Sequence, residues 1–174
     1  MRRYNVLKWI TYAFCVLLLV VFQLQAQFYP HFSNVTPLFA IPAVIAIAMN
    51  EGETAGGIYG IVAGLFWDTG TGRVFGFNAL LLLILGVMVG LFVKYLIKPS
   101  AVSSFLFTAL FSVVHLLLTW FFFCFLAGDS GFLFALLHTV LPTAGLTLIF
   151  AIPFYIGARA VFNRLTEQSS DSPI

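Results

Sequence analysis

A chain of 174 residues that is 61% hydrophobic, 8% charged and +1.07 in mean hydropathy cannot cover a globular surface with polar groups, because soluble domains carry about 25% charged residues. Its net charge of +2 comes from few, scattered basic residues and indicates no nucleic-acid surface. The composition is that of a polytopic all-α membrane protein, a single transmembrane domain over residues 1–174 without a sizeable soluble module.

Met1-Arg2-Arg3 and the apolar run 9–28 resemble a secretion signal, but the run has about 20 residues and Leu24-Gln25-Ala26 lacks the small-x-small cleavage pattern. The run is expected to remain as the first span, with Gln23, Gln25 and Gln27 solvated at its end. Cys15 and Cys124 lie in apolar runs and read as small buried hydrophobes, with neither a disulfide nor a metal site indicated. A loop, YPHFSNVT, follows, and Thr36-Pro37 reads as the N-cap and first residue of a short second span over 37–50. Pro42 within that span implies a helix that is tilted, thin or pushed inward. Glu51 and Glu53 are expected to precede the N-terminus of the third helix, where the helix dipole favours negative charge.

The third span, 54–70, lies in the stretch GGIYGIVAGLFWDTGTGRVFG. Gly56, Gly60, Gly64, Asp68, Gly72 and Gly76 recur there every four residues. On a helix such a stripe drifts roughly 40° per step and lets another backbone approach closely. Packing alone accounts for the first three glycines. Asp68 is different, because a charge in an apolar span costs about 2.5–3.5 kcal/mol and must face protein or water. Gly70-Thr71-Gly72-Arg73 marks a turn into the fourth span, 75–93, whose Gly86 and Gly90 offer a facing small pair.

The fifth span, 101–127, is rich in Phe and holds His115, followed by a turn at Gly128-Asp129-Ser130-Gly131. The sixth, 132–157, holds His138 and Pro142, where a kink or a freed backbone carbonyl is expected; the tail from Arg159 is polar, and its last residues, SSDSPI, are expected to fray. His31 reads as interfacial, and His115 and His138 as hydrogen-bonded structural histidines. Six spans would gather Arg2, Arg3, Lys8, Lys94, Lys98, Arg159 and Arg164, seven of the eight basic residues, at one end and leave Arg73 at the other. The positive-inside rule then puts both termini in the cytoplasm.

The third-span pattern of glycines ending in Asp68, the glycine-containing turn, and Gly76-Phe77-Asn78-Ala79-Leu80 resemble the MreD family of rod shape-determining proteins. The resemblance covers most of the chain, and Gly60, Gly64, Asp68, Gly72, Gly76 and Asn78 carry it; it does not extend to Arg73. It implies a non-catalytic inner-membrane component of the cell-wall elongation complex. Its implied partners are MreC and, through it, MreB, RodA and RodA's transpeptidase partner, in contact with membrane lipids. It implies no cofactor or metal, and a fold similar to the vitamin-binding subunits of energy-coupling-factor transporters.

That transporter role is the alternative function. Against it, the first span offers only Thr11 and Cys15 as small residues at docking spacing, and no outer loop is long enough to seal a pocket. An intramembrane enzyme using Asp68, His115 and His138 is also considered and rejected, since the sequence has no HExxH, nucleophile-base spacing or phosphate-binding glycine loop.

Overall fold

The structure, a computed structural model, describes residues 2–26, 37–72, 74–122 and 141–170. These residues form six helices and no strand: α1 (Arg2–Ala26), α2 (Ala40–Glu51), α3 (Glu53–Thr71), α4 (Phe77–Tyr95), α5 (Ala101–Trp120) and α6 (Leu141–Ser170). Four of them, α1, α4, α5 and α6, are long and apolar enough to cross a membrane, through the windows Lys8–Gln25, Phe77–Tyr95, Ala101–Trp120 and Pro142–Asn163.

The short helix α2 is the centre of the bundle. Every residue from Ala40 to Met49 is buried, and α2 touches each of the other five helices. A helix that is apolar all round has no face suited to water, so it is enclosed by neighbours. Its 12 residues make about 18 Å of helix, well short of an apolar core of about 30 Å. Of the three expectations for this segment, inward placement is the one observed.

Its start differs from expectation. Pro37 lies outside the helix, and Phe39, not Thr36, occupies the N-cap, without a side-chain cap of its own. Instead, Gln23 Oε1 of α1 accepts from Ala40 N at 3.0 Å, and Thr147 Oγ1 of α6 accepts from Leu38 N at 3.0 Å. Gln23 is therefore not solvated at the end of its span; it is 0% exposed and caps a neighbouring helix. Gln25 is exposed, and Gln27 lies outside the described residues. Pro42 sits in the first turn of α2, where its missing N–H costs no intrahelical bond.

The α3–α4 pair is packed backbone to backbone. A Cβ on Gly60 or Gly64 would collide with the backbone of Leu82 or Ala79. One on Gly86 or Gly90 would collide with that of Gly56 or Glu53, and one on Gly56 would come within 2.7 Å of Gly86 O. The contacts run in antiparallel register along the length of both helices. Without side chains between them, dispersion contacts and weak Cα–H···O bonds form directly between the main chains.

Gly72 and Gly76 are not part of this stripe. Gly72 (φ 62°) ends α3 and Gly76 (φ 93°) starts α4, both left-handed, and a Cβ at either would meet nothing. Their shared spacing with the packing glycines comes from a helix that stops at Thr71. They serve the turn through the left-handed backbone that glycine adopts without strain.

At the far end of the sequence, α6 continues through Arg159 to Ser170, so Ser169 and Ser170 of the segment expected to fray are helical, and residues 171–174 lie outside the described residues. Pro142 is its second described residue, and the proline inside the helix is Pro153, which the sequence reading does not single out. Cys15 is exposed on the apolar surface of α1 rather than buried. Cys124, His31, His138, the turn 128–131 and Arg73 lie outside the described residues.

Candidate functional site

The glycine stripe brings the last turn of α3 against the first turn of α4, where Asp68 is 2% exposed. Gly76, the N-cap of α4, has no side chain to satisfy the opening amides of that helix. Asp68 supplies the missing acceptor from the neighbouring helix. Its Oδ2 accepts from Gly76 N at 2.9 Å and Ala79 N at 3.4 Å, and its Oδ1 accepts from Asn78 N at 3.2 Å and Asn78 Nδ2 at 2.8 Å. The carboxylate meets donors only, at the helix end where the dipole favours negative charge.

The network reaches a third helix. Asn78 Nδ2 is committed to Asp68, so its Oδ1 accepts from His115 Nε2 of α5 at 2.9 Å. That assigns the proton to Nε2 of the imidazole. The His115 ring stacks on Trp67 with centroids 5.0 Å apart and planes 13° apart. Trp67 immediately precedes Asp68, so α3 holds the histidine ring on one residue and its hydrogen-bond chain on the next. Asp68, Asn78, His115 and Trp67 form one buried cluster tying α3, α4 and α5 together. Gln23 and Thr147 cap α2 at the same end of the bundle.

The opposite, basic end is held differently. Glu51 closes α2 immediately before the α3 N-cap, Gly52, and binds Lys8 at 2.7 Å with side chains 6% and 14% exposed, respectively. Tyr12 OH donates to the other oxygen of Glu51 at 3.1 Å. Glu53 opens α3 and binds Lys94 at 2.5 Å across the α3–α4 seam, in a pair that is largely open to water. The hydrogen bond from Lys94 holds the Glu53 carboxyl below its ordinary range. Both glutamates are thus cross-helix ion-pair partners, and neither forms a side-chain cap.

No group of three or more potential metal ligands occurs among the described residues. What the carboxylate cluster does is satisfy backbone and side-chain donors of α4 and, through Asn78, the His115 donor of α5, in a place where water is excluded.

The sequence model for the rod shape-determining protein MreD matches residues 3–165, nearly the whole chain. The chain belongs to the MreD family. No curated protein and no solved structure matches it. Membership makes this a rod shape-determining membrane protein, of a family that is structural in role. For an MreD chain, the arrangement divides the motif residues into three physical jobs. Gly56, Gly60 and Gly64 admit the α4 backbone, Gly72 and Gly76 shape the turn, and Asp68 with Asn78 closes the end of α4.

Sequence reasoning misses the partners of Gln23 and Lys8 and passes over Thr147 and Tyr12. Gln23 and Lys8 carry a usable signal, because a polar side chain at the edge of an apolar run needs a partner wherever it is enclosed. Thr147 and Tyr12 do not stand out, since threonine and tyrosine are common in such helices without a bonding role.

Proposed function

We propose that this chain is a non-catalytic scaffold of the cell-wall elongation complex in the bacterial inner membrane. It would bind MreC and, through it, connect to MreB, RodA and the transpeptidase partner of RodA. The family match over residues 3–165 carries this reading. The structural use of Asp68 supports it, because both carboxylate oxygens serve to cap α4 and order Asn78. The proposed topology has six membrane-embedded segments, with α2 enclosed and both termini cytoplasmic. The crowding of basic residues at one end supports that orientation.

In this arrangement the capped end faces outward, and its rigid three-helix cluster presents a fixed surface to partner proteins. Purifying the protein from its native membrane and identifying what accompanies it tests the proposal. MreC and other wall-elongation proteins are expected. Recovery of transporter ATPases in their place would overturn the scaffold reading in favour of a transporter subunit.

A further inference from the structure

At the basic end, a groove of about 440 Å³ opens between the start of α5 and the stretch of α6 from Tyr155 to Asn163. Ser100 and Ala101 line it from one side, and Tyr155, Ile156, Arg159 and Asn163 from the other. Its position at this end follows from Tyr12 OH, which donates to Glu51 at 3.1 Å and to Ala158 O, beside Arg159, at 3.3 Å.

The charge in this groove is one-sided. Arg159 is exposed, and its Nη1 donates to the hydroxyl of the buried Tyr155 at 3.0 Å, which holds the guanidinium along α6. Among the described side chains it has no carboxylate partner, since Glu51 is engaged by Lys8 and Glu53 by Lys94. Lys98, also exposed, sits just before α5. Ser100 satisfies two amides of the first turn of α5, those of Ser103 through Oγ and Ser104 through its carbonyl. The amides of Ala101 and Val102 head the helix beyond them, adding positive potential to that of the arginine.

Apart from Arg159, Ser100, Asn163 and the Tyr155 hydroxyl, the lining is apolar. Ile156 and Ala160 continue from Arg159 along the face of α6, and both are exposed. A free inorganic anion would use the arginine and leave these walls to water. A molecule with an anionic head and a hydrocarbon chain would cover both. We propose that this groove binds an anionic phospholipid, its phosphate on Arg159 at the head of α5 and an acyl chain along Ile156 and Ala160. Arginine is suited to this by the planar, multiple donation it offers phosphate oxygens.

The test uses the full chain purified in a neutral detergent and titrated with dioleoylphosphatidylglycerol or dioleoylphosphatidylcholine, with bound lipid counted by native mass spectrometry. The wild type is expected to prefer phosphatidylglycerol by about tenfold, because phosphatidylcholine offers Arg159 the same phosphate but offsets its charge with the choline cation. Arg159→Gln should abolish that preference. Ala160→Leu, which fills the groove from an exposed position and keeps every charge, should weaken phosphatidylglycerol binding with the melting temperature unchanged. Three results would overturn the proposal: no preference in the wild type, unaltered binding by Ala160→Leu, or equal loss from Lys98→Gln, the mark of diffuse attraction. Displacement of the lipid by millimolar inorganic phosphate would also overturn it, by making the groove a site for a free anion.

Discussion

The two ends of this bundle solve the same problem with different chemistry. At the basic end, lysines and glutamates join helices through ion pairs, one largely enclosed and one open to water. At the capped end, helices are joined by side chains that complete the hydrogen bonding of another helix's backbone: Asp68 for α4, and Gln23 with Thr147 for α2. An exposed ion pair is screened and worth little, whereas an enclosed amide without an acceptor is costly. The capped end should therefore dominate the stability and shape of the molecule, although the basic end carries more charge.

The largest expected effect comes from removing the acceptor at the capped end. Asp68→Leu leaves the donors of Gly76, Asn78 and Ala79 without their carboxylate, and an unsatisfied buried group costs about 1–3 kcal/mol. Thermal unfolding in detergent should show a loss of on the order of 3 kcal/mol or more. Asp68→Asn should fall between this variant and the wild type. An amide keeps one accepting oxygen, but its NH2 must face donors that the other oxygen now serves. If Asp68→Asn melts with the wild type, the second carboxylate oxygen is not needed.

The glycine seam that holds Asp68 in place comes next. Gly60→Ala drives a Cβ into the Leu82 backbone, which cannot rotate aside, and overpacking of this kind costs about 1–3 kcal/mol. Gly57→Ala meets only the ends of the Val87 and Leu83 side chains, and Gly145→Ala meets nothing, so the three should melt in that order. Equal melting temperatures would remove the seam from the account.

Effects at the basic end should be smaller. Lys8→Gln weakens the enclosed pair with Glu51 and should cost about 1.5 kcal/mol, the lower range for hydrogen bonds to charged groups. For the open pair, the Glu53 carboxyl is lowered in the folded protein by Lys94. Its contribution is therefore present above the ordinary glutamate range and disappears as pH falls through the lowered value. Melting curves of the wild type and Glu53→Gln should differ slightly near neutrality and coincide in acid. A gap that widens in acid would reverse the sign.

These contrasts also mark where the sequence is readable. The spacing of Gly56, Gly60 and Gly64 describes a bare helical face, and the α4 backbone lies on it. The same spacing at Gly72 and Gly76 belongs to a turn, because periodicity continues in the sequence after the helix has stopped. Asp68 announces its need for donors by its apolar setting, and Asn78 and the amides at the start of α4 meet that need. The enclosure of Gln23 is not legible, because an all-apolar helix gives no sign of which face is enclosed. Glu51 stands just before α3 and also ends α2, which sequence does not separate because one glycine, Gly52 at φ 93°, lies between the two helices.

The most direct measurement of the central claim is cell width in a rod-shaped host depleted of its own protein, with variants held at matched membrane levels. The capped end is predicted to govern shape: Asp68→Leu should give wide or rounded cells, Asp68→Asn an intermediate width, and Glu53→Gln ordinary rods. Normal rods with Asp68→Leu, or rounding by Glu53→Gln alone, would contradict it.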